Sequence, residues 1–126
     1  MSAAASFEKV KHRRTFPEME LQRAVAKMLE LCLPYDATFT AIPGGDRGVT
    51  LCPGYRSGWP DVQIIAQGKA LCIELKSREG RLTESQKKTI PVVKRAGAPV
   101  VVCRSLDEVA AFCAANVPGW KGRITA

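Results

Sequence analysis

The first regular pattern along the chain is a helical spacing of apolar residues. They recur every three or four positions between residues 21 and 32, which predicts a helix that begins near Thr15 and that Pro34 stops. Three β-like runs follow at 37–42, 61–66 and 69–76, and the last two are separated by Gln67-Gly68, a turn typical of a hairpin. The first half of the sequence therefore predicts one helix and three strands.

The second half alternates between helix and strand. Thr83-Glu84-Ser85-Gln86 is a capping-box pattern, which opens a helix to about Ala96 that Pro91 should kink or loosen. The apolar run 99–103 is typical of a strand covered on both faces, and Ser105 caps a last helix to about Ala115. The order helix, strand, strand, strand, helix, strand, helix predicts an α/β architecture, a mixed sheet flanked by helices.

Composition narrows the class of protein. The chain has 126 residues, 46% of them hydrophobic and 25% charged, which fits one soluble globular domain. No apolar run or leader predicts a membrane span or export. The five cysteines include no closely spaced pair and the single histidine, His12, lies in a polar segment, which disfavours a structural zinc site and histidine-based catalysis. We expect reduced thiols and a cytoplasmic protein.

The charge and one long loop suggest where partners bind. The formal net charge is +7, which is compatible with a polyanionic partner without requiring one. Residues 43–60 contain five glycines and no periodicity, and a long irregular stretch in so small a domain is typical of a functional loop. Idle mobility of this loop is the alternative.

Three charged side chains converge on one end of the predicted hairpin. Side chains alternate along a strand, so Glu74 and Lys76 project to the same face, and the hairpin brings Asp61 beside them. Two adjacent carboxylates repel unless a cation lies between them, and hard oxygen ligands select Mg²⁺ or Mn²⁺. The carbonyl of Leu75 is a further candidate ligand. The alternative is a solvated, idle ion pair between Glu74 and Lys76.

These residues belong to three blocks that resemble the VRR-NUC branch of the PD-(D/E)XK nuclease superfamily, in particular its phage and bacterial stand-alone members. The blocks are Gly58-Trp59-Pro60-Asp61, Ile73-Glu74-Leu75-Lys76 and Gly80-Arg81-Leu82-Thr83-Glu84-Ser85-Gln86. The segment Ala41-Ile42-Pro43-Gly44-Gly45, with Arg47, also looks like the segment before the P-D in phage-type members. The resemblance runs from about Glu18 to Phe112 and implies a restriction-endonuclease-like α-β-β-β-α-β core.

The resemblance also implies roles for individual residues. Asp61 and Glu74 would hold the metal and Lys76 would orient the attacking water, while Gln86 would sit beside the site or cap its helix through Thr83. The first-helix acid would be Glu18 or Glu20. Glu18 shares a stripe with apolar residues and so is better aimed at the sheet, although a capping box with Thr15 explains it equally well.

The loop and the third block supply candidate DNA contacts. Arg47, Arg56 and Arg81 would grip phosphates, while the backbone of Gly44 and Gly45 would come close to the strand. Trp59, next to the P-D, either packs under the site or stacks on a base.

The resulting prediction is a Mg²⁺- or Mn²⁺-dependent DNA endonuclease acting on branched or structured DNA, similar to Holliday-junction resolvases. The alternatives are a catalytically inert nucleic-acid-binding module with the same fold and a structural protein with an ordinary ion pair. We expect a basic arm at 1–14, a nuclease domain at 15–116 and a tail at 117–126. By analogy we expect a homodimer, acting in the cytoplasm of a bacterial or phage-infected cell.

Overall fold

The computed structural model describes residues 16–43 and 53–122. The elements within these ranges follow the predicted order of helices and strands. They are α1 (Phe16–Cys32), β1 (Ala37–Ala41), β2 (Val62–Ala66), β3 (Lys69–Leu75), α2 (Glu84–Arg95), β4 (Val100–Cys103) and α3 (Leu106–Asn116). None of these helices is long and apolar enough to span a membrane.

The four strands form one mixed sheet in the order β1-β2-β3-β4. The pairs β1–β2 and β2–β3 are antiparallel, whereas β3 and β4 are parallel because α2 carries the chain back across the sheet. The hairpin turn between β2 and β3 uses Gln67 at φ 49° and Gly68 at φ 78°. Two positive φ angles in a two-residue loop match the right-handed twist of the strands, so the turn fixes the register of the hairpin.

The sheet has two differently covered faces. On one face, α1 and α3 pack over alternate residues of the central strands and close the main apolar core. Val25 and Leu29 from α1, Ile73 from β3, and Val109 and Cys113 from α3 are fully buried there. On the other face α2 packs against β4, with Ile90 and Val93 turned inward. This second face carries Glu74, so α2 covers the side of the sheet on which the charged residues project.

One local prediction differs from the structure. The run 99–103 was expected to be covered on both faces, but Val100, Val101 and Val102 are only half-buried. The reason is that β4 is an edge strand, which an apolar run alone does not reveal. Pro91 lies inside α2, which extends from Glu84 to Arg95, and it has no N–H to donate to the carbonyl of Lys87.

The cysteines behave as the sequence predicts. Cys72, Cys103 and Cys113 are buried, and all four cysteines in the described ranges are free thiols. Burial raises the pKa of Cys72, and burial together with the nearby Glu108 carboxylate raises the pKa of Cys103 to about 12. Burial, with smaller contributions from Cys103 and Cys32, raises the pKa of Cys113 to about 12. These thiols are protonated packing groups. Cys52 and His12 lie outside the described residues.

Candidate active site

Asp61 and Glu74 lie opposite each other at the open end of the hairpin. Val62 is in register with Ile73, so the preceding residue, Asp61, faces the following residue, Glu74. Side chains that are directly opposite on antiparallel strands have Cβ atoms about 5 Å apart. Both carboxylates are buried, with 5% of Asp61 and 1% of Glu74 exposed. The predicted pairing of two acids on one face is therefore present.

The Asp61 carboxylate is held by the backbone of the next strand. Its Oδ2 accepts a hydrogen bond from the N–H of Leu75 at 2.7 Å. Its own carbonyl accepts from the N–H of Ile42 at 2.8 Å, which extends the pairing of β1 and β2 by one residue. Asp61 is thus fixed between two neighbouring strands, and its side chain lies against the segment Glu74-Leu75.

Glu74 is contacted by both of the other groups that the sequence placed near it. Its Oε2 accepts a hydrogen bond from Nε2 of Gln86 at 2.8 Å and lies 3.8 Å from Nζ of Lys76. The N–H of Lys76 donates to the carbonyl of Cys103 at 3.0 Å, which anchors this residue at the edge between β3 and β4. Glu74 therefore has one ammonium group and one amide within contact distance, and Asp61 faces it across the hairpin.

The ion pair between Glu74 and Lys76 is buried and not solvated, unlike the pair in the alternative prediction. Only 7% of the Lys76 side chain and 1% of the Glu74 side chain are exposed. Burying two charges carries a desolvation cost that an exposed surface pair does not incur. Such a cost is typical of a site that binds a charged partner and not of an ion pair on the surface.

Gln86 performs both of the roles that the sequence left open. Its Oε1 accepts from the N–H of Thr83 at 2.8 Å, and its own N–H donates to Oγ1 of Thr83 at 3.2 Å, which completes the capping box. Nε2 of the same side chain donates a hydrogen bond to Oε2 of Glu74. The amide therefore links the start of α2 to the carboxylate pair.

The two candidates for the first-helix acid are in different surroundings. Glu20 is exposed and pairs with Arg23 at 2.9 Å. Glu18 is 8% exposed, and a Cβ added to Gly80 would lie 3.1 Å from its Oε1. Glu18 therefore points into the protein, against the turn that follows Lys76. Thr15, its alternative capping partner, lies outside the described residues.

The donor set fits a hard divalent cation with few protein ligands. Mg²⁺ is usually held by one or two carboxylates and keeps several waters, so the Asp61–Glu74 pair with the carbonyl of Leu75 is sufficient. Within residues 16–43 and 53–122, no three His, Cys, Asp or Glu side chains converge at a common metal position. A closed zinc-type cage is therefore not formed in this part of the chain.

The loop before Asp61 packs against α2. Gly58 has φ +83°, and a Cβ placed on it would lie 2.3 Å from the carbonyl oxygen of Ser85. Oγ1 of Thr89 donates to the carbonyl of Ser57 at 2.6 Å, which fixes the same contact. This glycine backbone approaches the helix, whereas the sequence led us to expect glycines close to the strand. Gly44 and Gly45, the two named there, lie outside the described residues.

The candidate DNA contacts are partly within the described ranges. Arg56 and Arg81 are exposed, as a phosphate-binding group would be, and Arg47 lies outside those ranges. The half-buried Trp59 donates from Nε1 to Oε1 of Gln63 at 3.2 Å. Trp59 is thus held against β2, on the side of the sheet that carries Asp61.

Arg104, which lies near the site, was not identified from the sequence. Arg104 follows β4 directly beside Lys76, because Cys103 is in register with Leu75. Its Nη1 donates to the carbonyls of Ser77 at 2.8 Å and Gly80 at 2.6 Å, with a longer contact to Arg78 at 3.4 Å. Arg104 therefore clamps the turn 77–80, which contacts Glu18. A lone arginine after a strand carries no sequence signal for this role.

The mixed sheet, its flanking helices and the buried acid pair at the hairpin end define an α/β domain. Residues 50–107 match the VRR-NUC domain family. The matched segment includes Asp61, Glu74, Lys76 and Gln86. It begins after Glu18.

Two solved structures share the fold. A protein described as "VRR_NUC domain protein" is 22% identical, with a TM-score of 0.66 over 88% of this chain and 100% of that chain. A second, described as "VRR_NUC domain", is 18% identical, with a TM-score of 0.58 over 81% of this chain and 98% of that chain. No curated protein matches the sequence. The family implies a nuclease-like function, with DNA as the substrate.

Proposed function

We propose that this protein is a Mg²⁺- or Mn²⁺-dependent DNA endonuclease that hydrolyses phosphodiester bonds in branched or structured DNA. The observation that carries the proposal is the buried group of Asp61, Glu74 and Lys76, linked through Gln86 to α2. The inert-module alternative has no physical reason to maintain two buried acids beside a buried ammonium group.

Each residue has a defined task in this proposal. Asp61, Glu74 and the carbonyl of Leu75 would hold the cation, which when bound would supply Lewis-acid polarisation of the phosphate. Gln86 keeps Glu74 oriented by its 2.8 Å hydrogen bond. Lys76 has its ammonium group 3.8 Å from Glu74, where it orients the attacking water and offsets the negative charge that builds on the phosphate.

The remaining residues act around this centre. Glu18 contacts the turn after Lys76 and positions it, and Arg56 and Arg81 bind phosphates from the exposed surface. Arg47, Gly44 and Gly45 complete the phosphate contacts in the proposal. Two cuts in a symmetric junction require two sites, so we propose a homodimer that works in the cytoplasm of a bacterial or phage-infected cell.

The experiment is a cleavage assay on a supercoiled plasmid and on a four-way junction, with Mg²⁺, Mn²⁺ or a chelator. Lys76→Met is compared with Lys69→Met, which removes an exposed lysine at the other end of the same strand. We expect metal-dependent cleavage by wild type and Lys69→Met, and a loss of at least about 100-fold in Lys76→Met. Cleavage that persists in both chelator and Lys76→Met would refute the mechanism.

A second measurement separates the enzyme from an inert binding module. Titration of Mn²⁺ into wild type and Asp61→Asn, followed by calorimetry, reports cation binding without any turnover. We expect binding by wild type and at least about tenfold weaker binding by the variant, which loses an anionic ligand. DNA binding without cleavage in either metal would favour the inert module.

A further inference from the structure

The two faces of the sheet differ in the charge of the helices that cover them. Helices α1 and α3 cover one face and carry five acidic and two basic residues. Helix α2 covers the face of the carboxylate pair and carries one acidic and four basic residues, namely Glu84, Lys87, Lys88, Lys94 and Arg95. The positive charge of these helices is therefore concentrated on the side where Glu74 projects.

Three basic residues of α2 lie on its surface outside the contact with the sheet. Ile90 and Val93 are buried against it, whereas Lys88, Lys94 and Arg95 are exposed. Lys88 and Arg95 are seven residues apart, which is two helical turns, so they lie in one row along the outer surface. The row runs away from the active site, because the first turn of α2 contains Gln86.

Most of this charge is not neutralised by neighbouring acids. Lys87 pairs with Glu84 at 3.4 Å. Lys88, Lys94 and Arg95 form no ion pair with any residue in the ranges 16–43 and 53–122. The three exposed cations of this helix are therefore available to bind an anionic partner.

We propose that the exposed basic residues of α2 (Lys88 and Arg95 in one row, and Lys94 beside it) bind the phosphate backbone of the duplex arm that leads into the active site. This inference rests on the proposed function and adds to it the path of the DNA. Helix α2 has 12 residues and is about 18 Å long. That length spans about five base pairs of duplex, whose phosphates supply one charge per about 1.7 Å. Since lysine and arginine contacts to phosphate carry no base information, the surface holds DNA independently of sequence.

The experiment compares two triple variants with the same change in net charge. One is Lys88→Gln/Lys94→Gln/Arg95→Gln, and the control is Lys27→Gln/Lys69→Gln/Lys121→Gln, which removes three exposed lysines outside α2. Fluorescence anisotropy measures binding to a labelled duplex without divalent metal over a series of salt concentrations. Thermal melts verify that both variants are folded.

The expected result is a change in salt dependence that is specific to α2. Each phosphate contact adds about 0.9 to the slope of log K against log salt, so the α2 variant should lose about 2 to 3 from the wild-type slope, and the control less than about 1. Equal slopes in the two variants, with DNA bound and cut by wild type, would overturn this inference alone. A wild-type protein that neither binds nor cuts DNA would overturn the proposed function as well.

Discussion

The contact between Gly58 and the first turn of α2 allows a sharp test of how the site is built. Gly58 has φ +83°, and a Cβ there would lie 2.3 Å from the carbonyl oxygen of Ser85 and 2.7 Å from the backbone nitrogen of Gln86. Carbon–oxygen contacts normally begin at about 3.3 Å, so Gly58→Ala must move backbone by about 1 Å. The moving element carries the amide that holds Glu74.

Gly58→Ala combines two energetic costs, the left-handed backbone conformation and the steric clash with α2. Gly54 in the same loop provides a control for the first. A left-handed conformation costs a non-glycine residue about 1–2 kcal/mol. Gly54 has φ +88° but no atom within 4 Å of its would-be Cβ, so Gly54→Ala incurs this cost without the clash. The difference between the two variants isolates the steric contact with α2.

We expect Gly54→Ala to retain activity and to lose about 1–2 kcal/mol of unfolding free energy. Gly58→Ala should lose at least about 1 kcal/mol more and about 100-fold in cleavage rate, since a displacement of about 1 Å in a positioning group has such an effect. Urea unfolding and a Mn²⁺-dependent cleavage assay provide the two measurements. Identical stability and activity in the two variants would refute the argued role of this contact.

Three further variants test neighbouring features. Glu18→Gln should lower the cleavage rate at least tenfold (~1.4 kcal/mol), because it changes a buried acid. Glu20→Gln removes only an exposed ion pair with Arg23 and should cleave at the wild-type rate. Equal cleavage rates in the two variants would contradict the choice of Glu18 as the first-helix acid. Arg104→Met should cost about 2 kcal/mol in urea unfolding and speed hydrogen exchange in the turn 77–80, with Arg104→Lys partly restoring both. Because burial raises the pKa of Cys103 to about 12, only the unfolded chain ionises this thiol above its usual pKa near 9. Stability should therefore fall as pH rises from about 9 towards 12, and unfolding at about pH 8 and pH 10 should show a smaller fall in Cys103→Ala.

Much of the fold was predictable because its signals are local. The Thr83–Gln86 capping box and the Gln67-Gly68 turn each lie within four consecutive residues, and both form as predicted. The pairing of Asp61 with Glu74 followed from the two-residue period of a strand once the turn was located. These inferences needed no knowledge of how the helices pack.

The remaining features depend on contacts between distant parts of the chain. The Gly58 approach to Ser85 and the Arg104 clamp on the turn 77–80 each join segments more than twenty residues apart. A glycine-rich loop indicates that the backbone approaches a neighbouring element closely at one of its glycines. The sequence does not show which glycine this is or which element it contacts. The burial of Lys76 likewise accompanies contacts outside β3, such as its backbone hydrogen bond to Cys103 at the end of β4, which periodicity along β3 does not specify.

The two ends of the hairpin lie far apart and have different surroundings. Its open end carries Asp61 and Glu74, and its closed end is the Gln67-Gly68 turn, about 17 Å away along the five residues of β2. A Cβ added to Gly68 would meet no atom within 4 Å, so the closed end borders open space. A dye or affinity handle inserted at that tip would tether the molecule with Asp61 and Glu74 at the end away from the attachment point, which is the end to present to DNA in a single-molecule assay of the proposed activity.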